Sequence, residues 1–264
     1  MTSILQAQGL GKRYRRRWAL TDCDLDVPAG RIVGLVGPNG AGKTTLLSLA
    51  AGLLTPTSGT IEVCGGRPAG DRAQLAKVGF VAQDTPTYRR LSVAEHLTMG
   101  RRLSPHWDDD LAWQRVRRLG LAPRARAGQL SGGQRAQLAL TLALAKRPEA
   151  LILDEPVASL DPLARRDFLE DLRAATAGRG VSVVLSSHLV SDIERVCDYL
   201  IVLVASRVRL AGDVGRLLAT HHWVARPGEA GGLERADGAF RSGEWDVRPA
   251  SLEDLVLGYL GEGQ

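Results

Sequence analysis

Gly37-Pro38-Asn39-Gly40-Ala41-Gly42-Lys43-Thr44 fits the spacing G-x-x-x-x-G-K-[ST]. Each residue type there has a job around a phosphate group. Glycine permits backbone angles and a close approach that a Cβ would block. Successive N–H groups then point at phosphate oxygens. Lys43 adds a mobile positive charge for the outer phosphates, and the Thr44 hydroxyl reaches a magnesium ion. Gly37, Asn39, Gly40, Ala41, Gly42, Lys43, Thr44 and the adjoining Thr45 are the expected phosphate-binding residues. The plain alternative is a chance glycine-rich turn, and the flanks oppose it. Residues 31–36 read as a buried strand and 44–51 as a helix closed by Gly52. Strand, loop and helix in that order put the positive end of the helix dipole under the phosphates.

A second group of polar residues follows an apolar strand, 150–153. Asp154 and Glu155 stand at its carboxyl end, where parallel α/β sheets hold their ligands. Asp154 is placed to hold magnesium directly or through water. Glu155 is placed to orient or deprotonate an attacking water. In isolation, acids after a strand are more often caps or turn residues; a phosphate loop earlier in the chain favours the chemical reading.

The elements that must position these groups alternate strand with helix. Strand-length apolar runs at 150–153, 181–186 and 199–204 are separated by helical segments, and short strands are expected at 60–64 and 78–82. That alternation predicts an α/β fold with a mainly parallel sheet and helices on both faces. Before it, 4–32 reads as strands with turns at Gly9-Leu10-Gly11 and Pro28-Ala29-Gly30. Residues 89–148 read as mostly helical, with Ser92 and Ser104-Pro105 as helix starts. From about 222 hydrophobic density falls, Arg226-Pro227-Gly228 and Gly231-Gly232 mark loops, and a last helix covers 251–260.

Leu130-Ser131-Gly132-Gly133-Gln134 precedes an Ala/Leu-rich helix. Ser131 with Gln134 is a capping-box pattern, but capping does not explain two glycines, which suit N–H groups facing an anion. Here the chain resembles the ATP-binding cassette (ABC) family, whose diagnostic motif is LSGGQ, over about residues 2–215. Matching residues follow in family order. Tyr14 resembles the aromatic that stacks on adenine, with Trp18 the other candidate ring. Gln83 matches the glutamine linking the ATP site to the membrane partner, and is counted with the catalytic and magnesium-facing groups. Asp161, in Ala158-Ser159-Leu160-Asp161, matches the loop that crosses between subunits. His188 matches the histidine contacting the γ-phosphate. Val157, Gln137 and Ser206 depart from common family choices of Thr, Arg and Gly, and none removes a chemical group.

The resemblance implies a P-loop NTPase core with N-terminal antiparallel strands, a helical subdomain at about 89–148 and a small C-terminal extension. The expected division is 2–221 and 222–264. It implies Glu155, His188 and Gln83 as catalytic residues and ATP with Mg²⁺ as ligands. Ser131, Gly132, Gly133, Gln134 and Asp161 are then nucleotide contacts made by a second cassette, identical or not. The implied activity is ATP hydrolysis at the cytoplasmic face of the membrane, driving a separate permease. The tail Ser251-Leu252-Glu253-Asp254-Leu255, with Pro105-His106-Trp107-Asp108 and Pro162-Leu163-Ala164-Arg165-Arg166, resembles the drug and antibiotic-peptide exporter branch. The alternatives are an importer cassette, a soluble cassette acting on ribosomes or DNA, and a regulatory module that no longer hydrolyses ATP.

Bulk properties agree with this scale of protein. The 264 residues, 44% hydrophobic, suffice for one large α/β domain or two small ones, and no apolar run is long enough to span a bilayer. No N-terminal segment has a signal-peptide layout. Cys23, Cys64 and Cys197 form no C-x-x-C pair and read as reduced thiols. The net charge of +5 includes the run Lys12-Arg13-Tyr14-Arg15-Arg16-Arg17. That run reads first as solvated surface and second as a segment near membrane or nucleotide phosphates. It lacks the interleaved aromatics of a nucleic-acid module, so no nucleic-acid partner is expected. Arg115, Arg117 and Arg118 read as a surface patch, either solvated or facing acids on the permease.

Overall fold

Strand β3 (Ile32–Val36) lies inside a six-stranded sheet. A computed structural model describes residues 2–84, 87–178, 180–225, 232–235 and 246–261. Both neighbours of β3, β7 (Ser182–Ser186) and β8 (Tyr199–Val204), run parallel to it. β6 (Ala150–Leu153) and β5 (Val78–Val81) extend the parallel run beyond β7. β9 (Arg207–Asp213) closes the other edge, antiparallel to β8. The parallel strands are largely apolar and buried because both faces of the sheet are covered. Along β6, Leu151 and Leu153 join one apolar cluster and Ala150 and Ile152 the other, as the two-residue period of a strand requires.

One face carries α5 (Gly132–Ala145), α6 (Pro162–Thr176), α7 (Val190–Val196) and α9 (Leu252–Gly261). Leu140, Phe168, Ile193 and Leu255, one from each, are fully buried in a single cluster. The other face packs on α1 (Lys43–Ala50). Its Leu46, Leu47 and Leu49 also meet an antiparallel sheet of β2 (Arg17–Pro28), β1 (Ser3–Tyr14) and β4 (Ser58–Val63). The helix carrying the phosphate loop is thereby held between two sheets. α2 (Arg72–Lys77), α3 (Val93–Leu103) and α4 (Asp109–Arg118) follow, then a 3-10 turn at Ala127–Gln129. Val93, Leu97, Ala112, Val116 and Leu138 build a third cluster joining α3, α4 and α5.

Four readings of the sequence need correction. Gly9-Leu10-Gly11 is no turn: it lies inside β1, where the pairing with β2 slips on either side of Leu10. Leu10 is fully buried, so the bulges keep a core residue inward while the strand continues. The reversal comes at Arg15-Arg16, with Arg15 at φ 52°. Ser92 does start α3, through a complete capping box with Glu95. Ser104-Pro105 starts nothing: Ser104 ends α3, and Asp108 caps α4 by accepting from the Leu111 N–H at 2.8 Å. Past α8 (Val214–Thr220), the loop reading misses an antiparallel sheet of β11 (Gly232–Arg235), β10 (His221–Ala225) and β12 (Asp246–Pro249). These short strands mix polar and apolar residues, so they show neither an apolar run nor enough alternations to make a pattern. Arg226-Pro227-Gly228 and Gly231 lie outside the described residues, and Gly232 opens β11. Finally, Arg115 is no surface charge: it is 4% exposed and paired with Asp171 at 2.6 Å. Leaving either charge alone there costs about 3–5 kcal/mol.

Candidate nucleotide site

The loop from Gly37 to Gly42 joins β3 to α1 and tolerates no side chain at either end. A Cβ on Gly37 would lie 2.2 Å from the Leu203 carbonyl oxygen. One on Gly42, at φ 110°, would lie 2.3 Å from the Ala19 oxygen and 2.8 Å from Leu20 Cδ2. Glycine is therefore required by both conformation and space. Lys43 starts α1 and is 6% exposed. Its Nζ donates to the Gly37 oxygen at 2.7 Å and the Pro38 oxygen at 3.3 Å, and stands 3.8 Å from Glu155 Oε1. Burial pushes the Lys43 pKa down, opposed by the charges of Glu155 and Asp154.

The acids sit where the sequence places them, just beyond β6. Asp154 is 2% exposed; its N–H donates to the Val81 oxygen at 2.9 Å. Its Oδ1 accepts from the Ser186 hydroxyl at 2.8 Å, and that hydroxyl accepts from the Glu155 N–H at 2.8 Å. Ser186, the last residue of β7, thus fixes both acids at once. Glu155 holds φ 43°, a left-handed conformation that costs a non-glycine residue about 1–3 kcal/mol. Its side chain lies between Lys43 and His188, with Oε2 3.3 Å from His188 Nδ1. An ionised carboxylate only accepts, so Nδ1 carries the hydrogen of that contact and Nε2 remains for the cleft.

A cleft of about 630 Å³ opens over this arrangement. It is lined by Tyr14, Arg17, Ala19, Asn39, Gly40, Gly42, Lys43, Thr44, Thr45, Gln83, Glu155 and His188. Gly37 contributes its carbonyl to Lys43, Ala41 is buried under the loop, and Asp154 lies behind Glu155. Tyr14 borders the cleft and Trp18 does not; Arg13 sits over the Trp18 ring instead, 5.5 Å from its centre. Thr44, Gln83 and Asp154 supply hard oxygen donors of the kind magnesium takes. Among the described residues no group of three or more His, Cys, Asp or Glu is arranged to hold a metal, so a cation here would rely on phosphate oxygens as well.

Ser131, Gly132, Gly133, Gln134 and Asp161 do not line this cleft. Ser131 caps α5: its hydroxyl accepts from the Gln134 N–H at 3.2 Å, and Gln134 Oε1 accepts from the Ser131 N–H at 3.0 Å. Asp161 caps α6 next door, accepting from Leu163 and Ala164. A Cβ on Gly133 would lie 3.2 Å from Ala164 Cβ, so the two helix tips touch. Sequence reasoning missed two contributors. Arg17 stood in the basic run, which gave no sign that its last member turns to the phosphate loop. Ser186 reads in the sequence only as the end of the apolar run 181–186; its role appears once β7 is known to pair with β6.

A phosphate cradle facing one cleft with Glu155, and Asp154 buried beside it at the end of β6, define a P-loop nucleotide-binding protein. Residues 20–158 match the family profile described as "ABC transporter". The chain is 35% identical to the "Phosphonates import ATP-binding protein PhnC" of Thiobacillus denitrificans, over 82% of this chain and 90% of that protein. It is 38% identical to the "Nod factor export ATP-binding protein I" of Cupriavidus metallidurans, over 83% and 74% respectively. A solved "ATP binding subunit of ABC transporter" superposes with a TM-score of 0.73 at 28% identity, covering 82% of this chain and 92% of that one. The chain belongs to the ABC transporter family as an ATP-binding subunit, and that family's cassettes are ATPases.

Proposed function

We propose that this chain hydrolyses ATP to drive a separate membrane permease, most like the exporter type, from the cytoplasmic face of the membrane. Residues 2–221 form the cassette in this reading and 222–264 an extension. The phosphates rest on Gly37, Asn39, Gly40, Ala41, Gly42, Lys43, Thr44 and Thr45, with adenine on Tyr14. Thr44, Gln83 and Asp154 would hold Mg²⁺, which would neutralise charge on the phosphate oxygens when bound. Glu155 accepts a proton from the water that attacks the γ-phosphorus. The bond from that phosphorus to the bridging oxygen breaks, and ADP leaves with the electron pair. His188 keeps Glu155 oriented through Nδ1 and meets the γ-phosphate, and Gln83 completes the catalytic set. Such chemistry is mainly positioning and charge stabilisation.

Ser131, Gly132, Gly133, Gln134 and Asp161 serve the ATP of a second cassette in this reading, since none of them lines their own cleft. The permease takes a groove of about 490 Å³ whose walls include Leu53, Leu75, Phe80, Met99, Leu103 and Trp107. Leu53 and Leu103 are more than half exposed there. Val81 lines the groove and Gln83 the cleft, so a single residue, Ala82, separates them along the chain. Among the described residues no helix is long and apolar enough to cross a membrane, which fits a separate permease.

Export rests on the motif resemblances alone. Ser251 and Asp254 cap α9, Trp107 donates to Asp109 at 2.8 Å, and Pro162 opens α6, so each motif also has a local structural job.

The observation that carries the catalytic reading is Glu155 held between Lys43 and His188. Glu155→Gln keeps the shape but accepts no proton. Phosphate release is expected to fall about 10²–10⁴-fold while ATP-bound dimers accumulate on sizing with light scattering. Turnover near the unmodified rate would remove Glu155 as the base.

A further inference from the structure

The helix that begins at Ser131 is fastened farther along by buried charge. Arg115 on α4 and Asp171 on α6 are 4% and 8% exposed. Arg115 Nη2 donates to Asp171 Oδ2 at 2.6 Å and to Gln137 Oε1 on α5 at 3.3 Å. Its Nε donates to Thr141 Oγ1, also on α5, at 3.2 Å. Arg118 Nη2 holds the other Asp171 oxygen. One guanidinium therefore touches both α5 and α6 from α4. The same two helices meet at their tips, where Gly133 faces Ala164. At 1.5 Å per residue, Gln137 and Thr141 stand about 9 and 15 Å from Ser131, and Asp171 about 15 Å from Asp161. Two rods in contact at one end and pinned along their length do not swing apart independently.

A buried ion pair is weak evidence for stability in itself, because apolar packing would stabilise as well. Its hydrogen bonds are directional, and a planar guanidinium fixes angles that apolar contact leaves free. The geometry points to Arg115 as a positioning residue that locks the Ser131 and Asp161 tips into one unit. Both tips then engage the partner cassette's ATP together. The inference rests on the shared-ATP reading above. Gln137 marks an alternative root for the same cation. The Arg115 nitrogen that meets Gln137 also meets Asp171, so a guanidinium grown from position 137 reaches the same carboxylate.

The test starts from Glu155→Gln as parent and measures ATP-driven dimerisation by sedimentation across protein concentrations. Adding Arg115→Gln is expected to weaken the dimer about 5-fold or more, with fluorescent-ATP affinity of the monomer held within about twofold. Moving the cation, Arg115→Gln with Gln137→Arg, is expected to restore the dimer. Should Arg115→Gln unfold at assay temperature, Arg115→Lys serves in its place: it keeps the charge, loses the forked donors, and is expected to weaken the dimer in the same direction. Undiminished dimerisation in the variant overturns the inference. So does a loss that relocation fails to restore, or one in which monomer affinity falls in step with dimerisation. A parent that never dimerises with ATP removes the shared-site reading, and this inference with it.

Discussion

Two helices in this chain begin at glycine-rich tips, and they are finished differently. α1 starts from Gly42, and no side chain caps it. α5 starts from Ser131 with a complete capping box. The first-turn N–H groups of α1 have no partner within the helix, and the positive end of its dipole is concentrated there. Lys43 meanwhile is folded inward onto two carbonyl oxygens and Glu155. An uncapped helix N-terminus beside a lysine favours an anion. α5 is complete by itself, and its glycines only leave its tip bare. Under the proposed function, the difference assigns the nucleotide affinity of a single chain to α1 and leaves α5 to complete a site on a second cassette.

The strongest way to break this comparison is Lys43→Ala. Removing one member of a charge-paired contact costs about 2–5 kcal/mol, or roughly 30-fold and more in ATP affinity. Titration of the purified monomer with fluorescent ATP should show that loss, while His188→Ala should leave affinity near normal and slow hydrolysis. Equal losses in the two variants would mean that binding is not centred on α1. Ser131→Arg should do the reverse. A bulky cation at the α5 tip is expected to leave monomer affinity unchanged and abolish ATP-driven dimers in a Glu155→Gln background. Dimers that form normally would reduce the α5 tip to a helix cap. The smallest effect is Ser131→Ala, which removes the cap and should lower stability by about 1 kcal/mol in denaturant unfolding. α1 has no equivalent side chain to remove.

Much of this site was legible because its signals are local. The phosphate loop, the acids after β6 and the Ser131 capping box each fit within a few consecutive residues, and all three lie where the pattern put them. The mainly parallel sheet followed from apolar runs of strand length. What could not be read depends on partners far along the chain. Arg115 looked like surface charge because Asp171 stands 56 residues away, and only the packing of α4 on α6 brings them together. The β1 bulges were read as a turn because Gly9 and Gly11 flank a leucine whose burial no local rule reveals. The antiparallel sheet of β10, β11 and β12 escaped because its short strands mix polar with apolar residues and carry no apolar run like that of the equally short β6.

The left-handed backbone of Glu155 carries an evolutionary consequence. Its conformation suits glycine or asparagine better than glutamate. Replacement by either would relax the chain and delete the proposed base in a single step. Selection for robustness and selection for turnover therefore pull in opposite directions at this position. A lineage that lost the need to hydrolyse ATP would meet little resistance to change there, so the residue at 155 records whether a cassette still works for its living.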